Sequence, residues 1–238
     1  MFALAFALRD TLTSENDVER RAFLALVRAL AAERGRPYDE GRATAVAAAL
    51  FPPGEADARP DELARAVNDV LADDLPASYV IGRFRVVGDT AVREHVRPLD
   101  DVPLVLERVA SLGVPAAVIC NGWGRIAQRK AAAAGFTGRV LVSEELGAAL
   151  PSPQAFAALA AALVLPPDRV WFVTRDAALA DTASANGLHA LALSDLNDLI
   201  PPLCEEYTRS LLSLRYLART ALKFRDGYSF PPPPEPKT

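Results

Sequence analysis

Apolar residues fall in two rhythms along this chain, and the two alternate. Short continuous runs of strand length read Phe2–Leu8, Ala116–Cys120, Val140–Val142, Val170–Val173 and Ala190–Leu193. Between most of them lie longer segments with apolar positions three and four apart: Val102–Leu112, Ile126–Ala134, Pro153–Leu163 and Ala177–Asn186. Gly113 and Gly187 follow two of these segments, and glycine is a common helix stop because it tolerates the left-handed conformation. Continuous apolar strands alternating with amphipathic helices predict an α/β fold with a parallel sheet covered on both faces. Sites in such sheets lie beyond the carboxyl ends of the strands.

One long segment, about Thr13 to Arg97, interrupts this alternation after the first strand. Its pattern is helical over Asp17–Glu33, Asp39–Leu50 and Pro60–Leu75. Ser14 is expected as N-cap of the first, with Asp17 in the capping-box position. Pro60 suits a first turn, and Pro52-Pro53-Gly54 reads as a loop. Ser78–Glu94 stays open between a further helix and an extended hairpin arm at Tyr79–Val87. After Ile200-Pro201-Pro202 one more helix is expected over Leu203–Phe224. Leu203, Tyr207, Leu211, Leu214 and Leu217 fall on one stripe, with Arg209, Arg215, Arg219 and Lys223 mostly off it. The organisation that follows is an α/β core at 1–12 and 98–200, a helical insertion at 13–97, an added helix at 201–226 and a proline-rich tail at 227–238. The tail, with Pro231 to Pro234, is expected to be disordered and polyproline-like.

Composition narrows the classes. With 238 residues and 51% hydrophobic content, the chain can bury a sizeable core. Net charge is −4 with both signs spread along the sequence, so no basic face points to nucleic acid. Two cysteines, Cys120 and Cys204, make no disulfide framework and fit a reducing compartment. Phe2–Leu8 lacks the basic flank of a signal peptide, and no run approaches the roughly 20 apolar residues that span a bilayer. A cytoplasmic protein without a membrane partner is the expectation.

Four stretches carry the chemistry, and all fall where strand ends meet the turns after them. They are Met1–Leu12, Ala117–Trp123, Ser143–Phe156 and Val170–Asp176. In order and spacing they resemble the four motifs of the haloacid dehalogenase-like hydrolase superfamily. The resemblance covers roughly residues 1–200. It implies a Rossmann-like sheet and makes the 13–97 insertion the helical cap of that family.

It also implies which residues should do chemistry, and here they are missing. Thr11-Leu12 matches the end of the first motif, which places Ala7 at the aspartate nucleophile and Arg9 at the acid/base. Alanine forms no covalent intermediate, and a guanidinium does not release a proton. Asp10, at the family's glycine, is a turn residue or, in a slipped register, an alternative nucleophile. The second motif's hydroxyl position holds Cys120, a poor donor, before a family-like Asn121-Gly122. The third motif keeps Pro151-Ser152-Pro153 and Phe156, yet Leu150 stands at the lysine, which removes a fixed positive charge from an anion site. The fourth places Arg175 at the first Mg²⁺-binding acid, with Asp176 and Asp181 displaced from the metal positions.

Three readings follow. The first is a catalytically inactive family member, a pseudo-hydrolase acting as a binding, structural or regulatory module with no cofactor. Its partner is another protein or a second copy, met through the Leu203–Leu217 stripe. The second is an active hydrolase or phosphatase with relocated acids, Asp10 as nucleophile and Asp176 or Asp181 on Mg²⁺. The third is a non-reacting sensor of a phosphorylated metabolite, an anion held by Arg9, Asn121, Gly122 and Arg175 near helix N-termini. Internal ion pairs of Arg9 with Asp10 and Arg175 with Asp176 compete with that third role.

Overall fold

A computed structural model describes residues 2–14, 17–52 and 59–225, with side chains described as far as Leu214. Strand β1 (Ala3–Ala7) lies at the centre of a five-stranded parallel sheet. Its neighbours are β4 (Ala116–Cys120), with β5 (Arg139–Val142) outside it, and β6 (Val170–Thr174), with β7 (His189–Ala192) outside that. Ala7 is paired with Ile119 and Phe6 with Val173, so β1, β4 and β6 end at one level. Successive side chains of a strand face opposite ways, and β1 exploits this with alternating sizes. Leu4, Phe6 and Leu8 fill one face, while Ala5 and Ala7 leave room on the other for Phe156 and Phe172. Those two rings meet edge to face at 5.6 Å.

Helices α5 (Val102–Leu112), α6 (Gly124–Ala133), α7 (Ser143–Leu146), α8 (Pro153–Leu163) and α9 (Ala177–Ala185) follow or connect the strands. The fold is therefore the Rossmann-like α/β arrangement. The insertion holds α1 (Val18–Glu33), α2 (Glu40–Leu50), α3 (Pro60–Leu71) and α4 (Ala77–His95). Its entry and exit are tied by a short antiparallel pair, β2 (Thr13–Ser14) with β3 (Arg97–Pro98).

Three local expectations change. Ser14 pairs with Arg97 in a short strand, and the N-cap of α1 is Asp17, which is left-handed (φ 55°) and makes no side-chain cap. Helix α3 stops at Leu71, because Ala72 turns left-handed. The open segment Ser78–Glu94 is helical. Val80, Phe84, Gly88, Ala91 and Val92 of α4 recur every three or four residues and all are buried.

The insertion has its own apolar cluster, closed by two residues from the core. Phe84 packs between Phe51 (6.2 Å, stacked) and Trp123 (5.2 Å), and Ile126 of α6 joins the same cluster. Helices α4 and α6 approach closely at Gly88. A Cβ there would sit 2.5 Å from Cδ1 and 2.9 Å from Cγ1 of Ile126, so glycine makes the contact possible.

The added helix α10 (Ile200–Arg225) begins three residues earlier than the sequence suggested. Leu203 is fully buried against the core and Tyr207 is partly buried there. Leu211 and Leu214, on the same predicted stripe, are 41% and 50% exposed. The side chain of Leu217 and the proline-rich tail lie outside the described residues. Among the described residues no helix is long and apolar enough to cross a membrane.

Candidate functional site

A cavity of about 550 Å³ opens at the carboxyl ends of β1, β4 and β6, under the insertion. Ala7, Ile119, Cys120 and Thr174 form its floor, and Trp123, Ala127, Leu150, Pro151 and Leu179 are among its walls. The size suits a small-molecule site. Nearly every residue singled out in the sequence reaches it: Ala7, Arg9, Asp10, Cys120, Asn121, Leu150, Arg175 and Asp176 all line it. Gly122 and Asp181 are not among its lining residues.

The first turn explains Asp10. The Leu8 carbonyl accepts from the N–H groups of Thr11, Leu12 and Thr13, and the Asp10 N–H donates to the Thr13 carbonyl at 2.9 Å. Asp10 is left-handed (φ 52°), a conformation that aspartate adopts more readily than most residues. Its carboxylate is exposed and lies 4.0 Å from the Arg9 guanidinium. Ala7 ends the strand as a buried methyl group.

Asn121 and Gly122 are bound to the protein itself. The Asn121 amide accepts from the Leu150 N–H at 2.7 Å and donates to the Leu150 carbonyl at 3.0 Å. The loop at Leu150 is thus clamped to the end of β4. The Gly122 N–H donates to Ser143 Oγ at 3.0 Å. Cys120 is buried, with Sγ 4.0 Å from the Leu141 carbonyl.

Arg175 is paired, but with a partner the sequence did not suggest. Its Nη2 donates to both Asp101 oxygens at 2.6 and 2.7 Å, and Nη1 donates to the Ser194 carbonyl. Asp101 also accepts from the Leu196 N–H at 2.6 Å. Burial pushes the Asp101 carboxyl up, but the Leu196 N–H and the Arg175 charge outweigh it and hold the group below its ordinary value of 3.8. A depressed carboxylate stabilises the fold fully above its unfolded pKa, and that contribution is lost as pH falls through the folded value. The stability gap between wild type and Asp101→Asn is therefore expected to be full at neutral pH and to close as pH drops below about 3.8. Denaturant midpoints of both proteins from pH 7 down to the onset of acid unfolding check this; a gap that widens on acidification contradicts it.

Asp176 caps α9 instead of pairing with Arg175: its Oδ1 accepts from Ala178 N–H (2.9 Å) and Leu179 N–H (3.1 Å). The N-terminus of α6 is filled in the same way. Glu144 accepts from the Gly124 N–H at 2.8 Å with one oxygen and from Arg85 of α4 at 2.9 Å with the other. Both helix ends that would draw an anion already hold a carboxylate.

The site also contains a pair that the motif comparison missed. Lys130 of α6 and Glu19 of α1 form an ion pair, and both line the cavity. They are the only buried charged side chains among the described residues. A signal for them existed: Lys130 sits on the apolar stripe Ile126, Ala127, Ala131, and Glu19 between Val18 and Ala22. A charge on a buried stripe is rare without a partner.

The residues present do not fit the Mg²⁺ that the family motif would hold. Arg175 puts a cation at the end of β6 and is bound to Asp101, Asp176 is spent on α9, and Asp181 is exposed. Among the described residues no three acids, cysteines or histidines are grouped to hold a metal ion.

Comparison with known proteins places this geometry. The profile of the haloacid dehalogenase-like hydrolases matches residues 3–174. No curated protein sequence matches significantly. Among solved structures, a putative β-phosphoglucomutase from Thermotoga maritima is similar at TM-score 0.55 and 15% identity, over 82% of this chain and 88% of that one. A predicted phosphoglycolate phosphatase from Haemophilus somnus 129PT is similar at 0.53 and 18%, over 82% and 85%. The defluorinating L-2-haloacid dehalogenase Rha0230 is similar at 0.52 and 21%, over 80% of each chain. At these identities the structures speak for the fold, and the profile, spanning well over half of the sequence, shows that the chain belongs to the haloacid dehalogenase-like hydrolase family.

Proposed function

We propose that this chain is a non-catalytic member of its family, a binding or structural module that works in the cytoplasm through contacts with another protein or a second copy of itself. One observation carries the reading: apart from Arg9, the anion-attracting features at the strand ends are turned inward onto carboxylates of the protein. Arg175 holds Asp101, the α6 N-terminus holds Glu144, the α9 N-terminus holds Asp176, and Lys130 holds Glu19. Arg9 lies nearest Asp10. With Ala7 at the nucleophile position, the site has lost the group that forms the covalent intermediate and fills the place of the substrate's charge. No cofactor is expected. The exposed Leu211, Leu212 and Leu214 of α10 offer an apolar surface for a partner.

The competing reading takes its support from the family itself and from neighbours named as phosphatase, mutase and dehalogenase. It uses Asp10, which does line the cavity, as nucleophile. Turnover of p-nitrophenyl phosphate with Mg²⁺, measured for wild type and Asp10→Asn, separates the two. The non-catalytic reading expects no Mg²⁺-dependent turnover from either protein. Turnover by wild type that Asp10→Asn abolishes overturns it.

A further inference from the structure

Of these internal pairings, Lys130 with Glu19 alone combines three features. Both side chains are more than nine-tenths buried, at 6% and 8% exposure. They line the same cavity as Ala7 and Cys120. They also join two parts of the molecule, α6 of the sheet domain and α1 of the insertion. The others are more exposed: Asp176 caps its own helix, Arg175 and Asp101 are both held by residues 194–196, and Glu144 reaches Arg85 of the insertion with side chains 21% and 40% exposed.

A buried ion pair contributes little net stability, because desolvation of two charges offsets their attraction. An apolar pair of similar volume would close the cavity wall as well. What the lysine supplies is a cation inside a cavity from which the family's own lysine has gone, replaced by Leu150. What Glu19 supplies is a carboxylate to neutralise that cation. Glu19 sits in the first turn of α1, directly after Asp17, which makes no side-chain cap. The first turn is the part of a helix that opens at least cost.

We propose that Lys130 is the anion-binding group of this cavity and that Glu19 holds the ligand's place in the unliganded protein. A small oxyanion, a carboxylate or a phosphate, binds by taking Lys130 from Glu19, which loosens the first turn of α1 from α6. The ligand stays intact, because this inference rests on the non-catalytic reading of the same cavity. Binding and the hold between insertion and core are then coupled through one exchange of carboxylate for ligand.

The test uses inorganic phosphate and acetate as probes, followed by the fluorescence of Trp123, which lines the cavity, in a Trp171→Phe background. Glu19→Gln removes the competing charge and is expected to bind one of the two at least tenfold more tightly than wild type. Which probe gains tells a phosphate ligand from a carboxylate. The double variant Glu19→Leu/Lys130→Met, which removes both charges of the pair, is expected to bind neither. Equal affinity in Glu19→Gln and wild type, or binding retained in the double variant, overturns the proposal. A second measurement needs no change to the pair. Saturating probe should raise amide hydrogen exchange at Val18–Ala22 in the wild-type chain, and unchanged exchange there also overturns the proposal. Mg²⁺-dependent turnover would contradict the non-catalytic reading while leaving the effect of Glu19→Gln intact, so the two ideas fail separately.

Discussion

Replacing Phe84 by alanine is expected to cost about 3–5 kcal/mol, the range for removing a fully buried aromatic ring. Phe84 is completely buried, and its ring lies between Phe51 of the insertion and Trp123 of the core. The loss therefore falls on the seam between the two. For a chain of this length each kcal/mol moves the thermal midpoint by about 2–4 °C, so a drop of roughly 6–20 °C should follow. Neighbouring Val86, on the opposite side of α4, is 57% exposed, and Val86→Ala should change stability by less than about 0.5 kcal/mol. Denaturant titration of both variants checks the contrast. Equal small effects would mean that α4 does not pack on Trp123.

The second large effect concerns the buried pair. Lys130→Met alone leaves the Glu19 carboxylate buried without its cation, and breaking a buried pair from one side costs about 3–5 kcal/mol. Adding Glu19→Leu removes that uncompensated charge. The double variant should return to within about 1 kcal/mol of wild type, or exceed it. The interaction energy of this double-mutant cycle is the quantity to measure. High salt should change it little, because a buried pair is poorly screened. Additive single effects would show that the two side chains do not meet.

Much of the fold was legible because a central parallel strand has no polar face. Ala3–Ala7 is buried on both sides between β4 and β6, so its apolar run announces it. Segment 78–94 was harder. Tyr79, Val86 and Val87 favour strands locally, and the helix wins through the buried stripe from Val80 to Val92, which only the folded insertion rewards. The start of α1 was misjudged because Ser14 looks like a cap, whereas the pairing that claims it comes from Arg97, far along the chain.

At the site, the strand ends could be read from the apolar runs, and Ala7, Arg9, Leu150 and Arg175 next to them do line one cavity. Which groups the charged side chains bind was not readable. Asp101 lies 74 residues from Arg175, and Glu19 and Lys130 meet only because the insertion folds back on the core, chiefly through α4 against α6. Local patterning marks both members of that pair as misplaced charges without saying that they belong together.

The central claim, a site that no longer performs the family's chemistry, is tested most directly by thermal unfolding with Mg²⁺ and beryllofluoride, which together mimic a phospho-aspartate. A ligand that binds only the folded state raises its stability by about 2.7 kcal/mol at a hundredfold excess over the dissociation constant. The account predicts no rise in the midpoint that depends on Mg²⁺. A clear Mg²⁺-dependent rise would contradict it, showing that a working carboxylate and a metal site survive at the end of β1.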